Sequence, residues 1–119
     1  MFKKFIVSAL LSSAMITPAL SHSFDDTDDA IHYRQAAFRL MAHNFGDMAA
    51  MLKGKKPMDK ATFAQRANNV AAIAQLPHEG FIKGSDKGET DALAKIWQNK
   101  SDFNDKMKAL QVKALSNMK

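Results

Sequence analysis

The feature that most constrains the fold is a seven-residue repeat of large apolar side chains in the first half of the chain. Two methionines fill intermediate positions, so that the whole set is Ile31, Phe38, Phe45 and Leu52, with Met41 and Met48. This spacing is typical of a helix that packs nearly parallel to its neighbours in a bundle. The acidic segment 25–29 can cap the start of this helix and complement its dipole, and Gly54 is suited to end it.

Two further helices are predicted from the rest of the sequence. The second opens at Pro57 and Asp59 and ends at Leu76, because a proline follows and disfavours the helical conformation in the residue before it. The third runs from about Ala92 to the end of the chain. The intervening segment 77–91 carries glycines among polar residues and predicts an ordered surface loop. No segment shows the alternation of a strand, so we expect an all-α protein.

The first 21 residues have the pattern of a secretory signal peptide. A basic start at Lys3 and Lys4 precedes a run of apolar and small residues, and small residues at Ala19 and Ser21 suit a cleavage position. An uncleaved membrane anchor is the alternative, but the run is interrupted by serines and falls short of the ~20 apolar residues that a spanning helix needs. We therefore expect residues 1–21 to be removed and residues 22–119 to be periplasmic if the source is a Gram-negative bacterium.

Composition excludes several classes of protein. The 119 residues contain no cysteine, which excludes a disulfide scaffold, a thiolate zinc site and the thioether bonds of a c-type haem in this chain. Lys and Arg number 17 against 12 Asp and Glu, but no basic stripe with interleaved aromatics occurs, so nucleic-acid binding is not indicated. Motifs of hydrolases and transferases are missing as well, and we do not expect an enzyme.

Arg34 is the most informative single residue, because it occupies a position in the apolar seam. A guanidinium that faces a core needs an anionic partner or a route to water. The residues alone leave two interpretations open. Arg34 extends to the end of the bundle and pairs with Asp28 or Asp91, or it binds a ligand that carries a carboxylate.

Methionine and histidine give weaker indications. Met48 and Met51 share a helix face and could suit Cu(I), although flexible core packing explains them better. His32 and His43 lie about three helical turns apart and cannot bind one metal together. His78 is expected to be solvated in the loop.

Several separate segments resemble the cytochromes c′. Segments 33–38 (YRQAAF), 40–41 (LM) and 44–46 (NFG) are similar to the first helix of that family, and 84–88 (GSDKG) and 96–97 (IW) are similar to its loop and third helix. The resemblance covers the chain from about residue 26 to residue 118. It implies an exported four-helix bundle that carries haem c with five-coordinate iron, transfers electrons and binds nitric oxide or carbon monoxide. It also implies a homodimer that binds haem, and it does not identify the small redox partners.

The resemblance assigns haem-contacting positions residue by residue. Arg34 and Gln35 correspond to residues that contact the haem propionates. Phe38 takes the position of the apolar residue over the open face of the iron, and Thr90 and Asp91 match loop positions near the haem edge. The resemblance therefore favours the second interpretation of Arg34.

One departure from the family is severe, since its fourth helix with the Cys-x-x-Cys-His run has no counterpart in these 119 residues. We therefore expect three helices of an antiparallel four-helix bundle, a C-terminally truncated chain without a proximal ligand, and impaired haem attachment. An open groove is expected to be lined by Phe38, Met41 and Phe45, with Arg34 at its mouth. The alternative function is a haem-free helical interaction module of the cell envelope, which pairs through its exposed apolar face.

Overall fold

The computed structural model describes residues 23–116 and consists of helices and their connections. Helix α1 spans Thr27–Leu52, α2 spans Lys60–Ile73, α3 spans Lys95–Gln98 and α4 spans Lys100–Ser116, and a 3₁₀ turn covers Pro77–Gly80 between α2 and α3. That range contains no strand, so the predicted all-α fold is confirmed. The signal peptide expected at residues 1–21 lies outside the described residues.

Helix α1 begins and ends where the sequence predicts. The Asp26 side chain accepts a hydrogen bond from the Asp29 backbone N–H at 2.8 Å and caps the first turn. After Leu52 the chain leaves the helix through Gly54, whose φ of 71° lies in the left-handed region. A residue with a Cβ would be strained there, which explains why glycine stands at this position.

The helices enclose a small apolar core between α1, α2 and α4. Helix α1 packs mainly on α2 and on the 3₁₀ turn, and α4 packs on α2. The core is formed by small and medium side chains from all three long helices, with two partly buried residues against it: Met41, Val70, Ala71, Ala74 and Ala114, then Ile73 and Leu110. The small alanines allow close approach of the helix axes, since protein cores pack densely.

The predicted seam of α1 is only partly buried. Met41 and Met48 are buried as expected, but Phe38, Phe45 and Leu52 are 39%, 41% and 68% exposed. The apolar face of α1 is wider than the surface that α2 and the 3₁₀ turn can cover, and a straight helix also drifts by about 20° per heptad from a seven-residue repeat. The single groove expected from Phe38, Met41 and Phe45 is therefore not formed: Phe38 lines a cleft with Arg34, Phe45 lines another with Met48 and Leu52, and Met41 belongs to the core.

The two later helices differ in extent from the prediction. The side chain of Asp59 caps α2 by accepting from the Thr62 backbone N–H at 3.0 Å, but the helix ends at Ile73, before Leu76. The predicted third helix is two helices, because Asn99 has a non-helical backbone with φ −129° and ψ 69°. The Asn99 side chain accepts from the Asp102 backbone N–H at 3.3 Å, so this residue ends α3 and starts α4.

The glycine-rich segment between α2 and α3 is ordered, but it is not confined to the surface. Phe81 is only 7% exposed and Ser85 is fully buried. This segment packs against the first turns of α1, where it builds the site described below. Within residues 23–116, no helix has both the length and the apolar character needed to cross a membrane.

Candidate functional site

Arg34 lies at the centre of the site, buried to 2% exposure on the side of α1 that faces the connection between α2 and α3. Its Nη1 donates to the Gly80 carbonyl at 2.9 Å and to Ser85 Oγ at 2.7 Å. Its Nη2 donates to the Ser85 carbonyl and to Thr90 Oγ1, both at 2.9 Å. These four hydrogen bonds tie one side chain of α1 to three points of the connection.

Two features of the connection allow it to surround a guanidinium. A Cβ at Gly80 would lie 2.7 Å from the Ala30 carbonyl oxygen and 2.7 Å from Arg34 Cβ, so only glycine lets the backbone approach α1 this closely. The Ser85 hydroxyl, in turn, donates to the Ile82 carbonyl at 2.8 Å and accepts from Arg34. Both bonding roles of this hydroxyl are therefore used inside the site.

Aromatic rings close the site below the guanidinium. Arg34 Cζ lies 4.5 Å from the centre of the Phe81 ring and 5.5 Å from that of Trp97, distances at which a cation is attracted to a ring face. The Trp97 indole N–H donates to the Ile82 carbonyl at 3.1 Å, and Lys100 Nζ donates to the Phe81 carbonyl at 2.8 Å. The rings and the connection thus hold each other in place.

The positive charge of Arg34 has no anionic partner within residues 23–116. All four of its acceptors are neutral oxygens, and no carboxylate of the described chain lies within 4.0 Å of its nitrogens. The interpretation in which Arg34 pairs with Asp28 or Asp91 is therefore wrong. Burial lowers the pKa of the guanidinium, but arginine keeps its proton in proteins. The site carries a buried positive charge that its own hydrogen bonds solvate but do not neutralise.

A cleft of about 340 Å³ opens beside this charge. The five predicted cofactor-binding residues all line it, together with apolar side chains: Arg34, Gln35, Phe38, Thr90 and Asp91, with Phe81, Ala92, Ile96 and Phe103. Its volume lies at the lower end of the ~300–1,000 Å³ that ligand pockets span. The structure thus brings the five residues to one place, and their contact with haem stays a prediction.

The cleft residues are held by local hydrogen bonds and ring contacts. Gln35 Nε2 donates to the Glu89 carbonyl at 2.9 Å, and Thr90 Oγ1 accepts from the Ala92 backbone N–H at 3.0 Å as well as from Arg34. The Phe38 ring meets the Phe81 ring edge to face, with 6.4 Å between centres. The mouth of the cleft is therefore preformed, with polar groups on one side and aromatic rings on the other.

Sequence reasoning missed the residues that position Arg34. Ser85 and Gly80 accept from its guanidinium, and Phe81 and Trp97 pack against it. Gly80 and Ser85 stand among glycines and polar residues that read as solvated loop, so their burial had no signal in composition. The position of Arg34 in an apolar seam was the one available indication that buried acceptors had to exist, and it did not distinguish neutral acceptors from acidic ones.

The charge and the aromatic lining of the cleft suit a porphyrin, but the cleft offers nothing to its iron. The positive charge of Arg34, whose four Nη hydrogens are all donated to oxygens of the chain, lies beside flat aromatic rings that suit an apolar macrocycle. It contains no histidine, and the chain has no cysteine for thioether bonds. His32 and His43 are exposed outside the cleft, and His78 is joined through Nε2 to Asn104 Oδ1 at 2.8 Å. Attachment and an axial ligand are therefore not among the groups that this cleft provides.

The two methionines of the copper hypothesis are buried in the structure. Met48 and Met51 are 8% and 5% exposed, as core packing requires. No group of three histidine, aspartate or glutamate side chains in the described part of the chain could hold a metal ion. A copper site at these methionines stays an untested hypothesis, and core packing accounts for both residues.

Comparison with known proteins agrees with the fold and with the site. The profile of the family described as Cytochrome C' matches residues 29–118. Cytochrome c' of Halomonas halodenitrificans is 43% identical over 94 residues, which are 75% of this chain and 71% of that protein.

Solved structures agree as well. Cytochrome c prime from Shewanella frigidimarina has a TM-score of 0.77 and 66% identity, and the match covers 78% of this chain and 73% of that one. A nitric oxide complex of a mutant cytochrome c prime from Alcaligenes xylosoxidans has a TM-score of 0.73 and 32% identity, over 81% and 75% of the two chains. With its helical fold, its buried arginine and these matches, the chain belongs to the cytochrome c′ family of haem proteins.

Proposed function

We propose that this chain is a periplasmic haem protein of the cytochrome c′ type in which haem attachment is impaired. The single observation that carries the proposal is the buried, unneutralised charge of Arg34 beside an apolar cleft. A porphyrin suits such a place, because its propionates would neutralise the charge and its ring would cover the aromatic side chains. The lack of cysteine supports impairment, since thioether bonds require that residue.

Each of the five cleft residues has a distinct role in this proposal. Arg34 attracts a propionate, while Gln35 and Thr90 hold the connection at the polar side of the cleft through their hydrogen bonds to Glu89 and Ala92. Phe38 covers one face of the ring and keeps water from it. Asp91, exposed at the rim, lies at the edge of the macrocycle. Haem iron, when bound, supplies electron transfer and a binding position for nitric oxide or carbon monoxide, and the nitric oxide complex of the Alcaligenes relative supports the gas ligand.

A haem titration of the full chain tests the proposal, with absorption in the Soret region as the readout. We expect a saturable but weak Soret change, because apolar burial and one cation replace covalent attachment. Phe38→Asp should weaken binding about tenfold or more, since it places a carboxylate against the macrocycle and the propionates. Leu40→Asp is the matched control, because Leu40 is 53% exposed on α1 and does not line the cleft. Absence of any Soret change at stoichiometric haem would reject haem binding by this chain.

A haem-free interaction module is the second candidate. The observation that favours it is the row of exposed apolar residues along α1, namely Phe38, Phe45 and Leu52. Exposed apolar patches mark partner surfaces or sites of aggregation. Sedimentation of the haem-free chain separates the candidates, because a soluble oligomer that haem does not alter supports the module. A dimer that forms only with haem supports the cytochrome function, because the resemblance to the cytochromes c′ implies a homodimer.

A further inference from the structure

A second cleft, of about 590 Å³, lies between the C-terminal half of α1, the connection 53–59 and α2. Its lining is mainly polar and includes His43, Asn44, Asp47, Lys56 and Arg66. It shares no residue with the cleft around Arg34. Neither the proposed haem function nor the core explains why these charged groups are gathered here.

Asp47 holds two cations side by side at this cleft. Lys56 Nζ donates to Asp47 Oδ1, and Arg66 Nε donates to Asp47 Oδ2 at 2.8 Å. The hydrogen bonds from Lys56 and then Arg66 keep the pKa of Asp47 below its usual value, so it is ionised at neutral pH. One negative charge therefore stands against two positive ones, and the cluster keeps a net positive charge.

Hydrogen-bond donors of this cluster remain available to a ligand. Arginine carries five N–H donors, and Arg66 uses only its Nε within residues 23–116. The Arg66 side chain is 37% exposed and that of Lys56 is 48% exposed. The planar guanidinium suits an oxyanion that can accept two parallel hydrogen bonds.

The position of Lys56 is fixed by the backbone rather than by its side chain alone. The backbone N–H groups of Lys55 and Lys56 both donate to the Ala50 carbonyl, at 2.9 and 3.3 Å. Further lysines flank this turn, at Lys53 and Lys60. Their combined field raises the local concentration of anions at the cleft.

Gly46 leaves room for a ligand. It lines the cleft from α1, and a Cβ at this position would meet no atom within 4 Å. Glycine inside a helix is less stable than alanine by about 1 kcal/mol. Neither a close packing contact nor a left-handed φ explains why glycine stands at position 46 despite this loss of helix stability. A ligand that binds against the helix at this point would explain it.

We propose that this cleft binds a phosphate-type oxyanion between Arg66 and Lys56, as a free ion or as part of a lipid headgroup. The site is independent of haem, since it lies on other residues. Asp47 positions the two cations and does not contact the anion.

Inorganic phosphate is the first probe, added to the full chain at constant ionic strength. Calorimetry measures the affinity, and NMR follows the backbone amides of Gly46 and Asp47. Arg66→Gln should weaken binding about tenfold, the value of one charge-assisted pair of hydrogen bonds. Arg39→Gln removes the same charge from an exposed position of α1 outside the cleft, and it should change affinity by less than about twofold.

Gly46→Ala is the second variant, because it keeps the helix folded and places a methyl group in the cleft. It should also weaken phosphate binding, without a loss of thermal stability. Vesicles of phosphatidylglycerol, compared with vesicles of phosphatidylcholine, distinguish the two sources of the anion. Vesicle binding that Arg66→Gln lowers and Arg39→Gln leaves unchanged identifies a lipid headgroup. Phosphate binding without vesicle binding identifies a free ion. The proposal is overturned if phosphate produces neither heat nor shifts at Gly46, or if the two arginine variants lose affinity equally.

Discussion

The two halves of helix α1 differ in how the rest of the chain covers their side chains. In the N-terminal half, the side chain with the greatest need for partners, Arg34, is buried and fully surrounded by oxygens and rings of the same chain. In the C-terminal half, apolar side chains such as Phe45 and Leu52 are left 41% and 68% exposed. The connection between α2 and α3 therefore surrounds the charged side chain of Arg34, whereas the apolar surface of the C-terminal half stays exposed. The first half is self-sufficient in hydrogen bonds for its buried cation, and the second leaves large apolar side chains open to solvent.

Replacement of Arg34 gives the largest expected effect. Arg34→Met removes four hydrogen bonds, leaves the Ser85 carbonyl buried without a donor, and leaves the Gly80 carbonyl with only the 3.4 Å hydrogen bond from Ser85 Oγ. We expect a loss of about 3 kcal/mol in the free energy of unfolding, measured by urea denaturation. Arg34→Lys should recover only part of this, because one ammonium nitrogen cannot reach the acceptors of both Nη1 and Nη2. Unchanged stability in Arg34→Met would mean that the connection is held without it.

The position of Arg34 was predictable, but its partners were not. Its place among apolar residues showed that it faces the core, and the family resemblance brought all five cleft residues to one site. The acceptors are backbone carbonyls and two hydroxyls, groups that occur throughout any sequence and form no pattern. The close approach at Gly80 depends on the packed structure, so no local rule could reveal it.

Replacement of Gly80 gives the next largest expected loss of stability, and Gly46 in α1 provides a matched control. Gly80→Ala puts a Cβ 2.7 Å from the Ala30 carbonyl oxygen, so the connection must move away from α1. We expect a loss of about 2 kcal/mol and a lower melting temperature. Gly46→Ala, with no atom within 4 Å of the new Cβ, should instead stabilise the chain by up to about 1 kcal/mol. Equal shifts for both variants would contradict a close-approach role for Gly80.

The helix boundaries were also predictable only in part, because local side chains set some of them and tertiary packing decides the rest. The caps at Asp26 and Asp59 follow from short polar side chains placed before apolar runs, and both are present. The break at Asn99 had the same kind of signal, since asparagine is a good helix cap, but the continuous apolar spacing on both sides favoured one helix. The exposure of Phe38 and Phe45 depends on how much surface α2 covers, which periodicity does not measure.

Tyr33, in the N-terminal half of α1, is expected to make a smaller and pH-dependent contribution to stability. Its hydroxyl donates to Glu79 Oε2 at 2.7 Å. Burial, that hydrogen bond and the glutamate charge raise the pKa of Tyr33 to about 12 from 10.0. A raised pKa means that the folded state holds the proton more tightly, so this contribution is complete below about pH 10 and is lost as the pH rises towards 12.

Tyr33→Phe should therefore cost about 1 kcal/mol or less at neutral pH, and its stability should fall less steeply than that of the parent chain between pH 10 and 12. Denaturation midpoints at several pH values measure the difference. The parallel measurement on the parent chain controls for the contribution of every other group. Identical slopes in the two proteins would show that the Tyr33–Glu79 bond is not maintained in solution.

The smallest effect is expected in the open half, where a large apolar residue is replaced at almost no cost. Leu52→Ser should change the free energy of unfolding by less than about 0.5 kcal/mol, because the side chain is 68% exposed. Its neighbour Met51 is 5% exposed, and Met51→Ser should cost about 3 kcal/mol through lost burial and a buried hydroxyl. A large loss in Leu52→Ser would mean that this surface is covered in solution, by a second copy or by the segment outside residues 23–116. Sedimentation of the same variant then decides between these two: if a second copy covers the residue, the loss of stability comes with a shift from dimer to monomer.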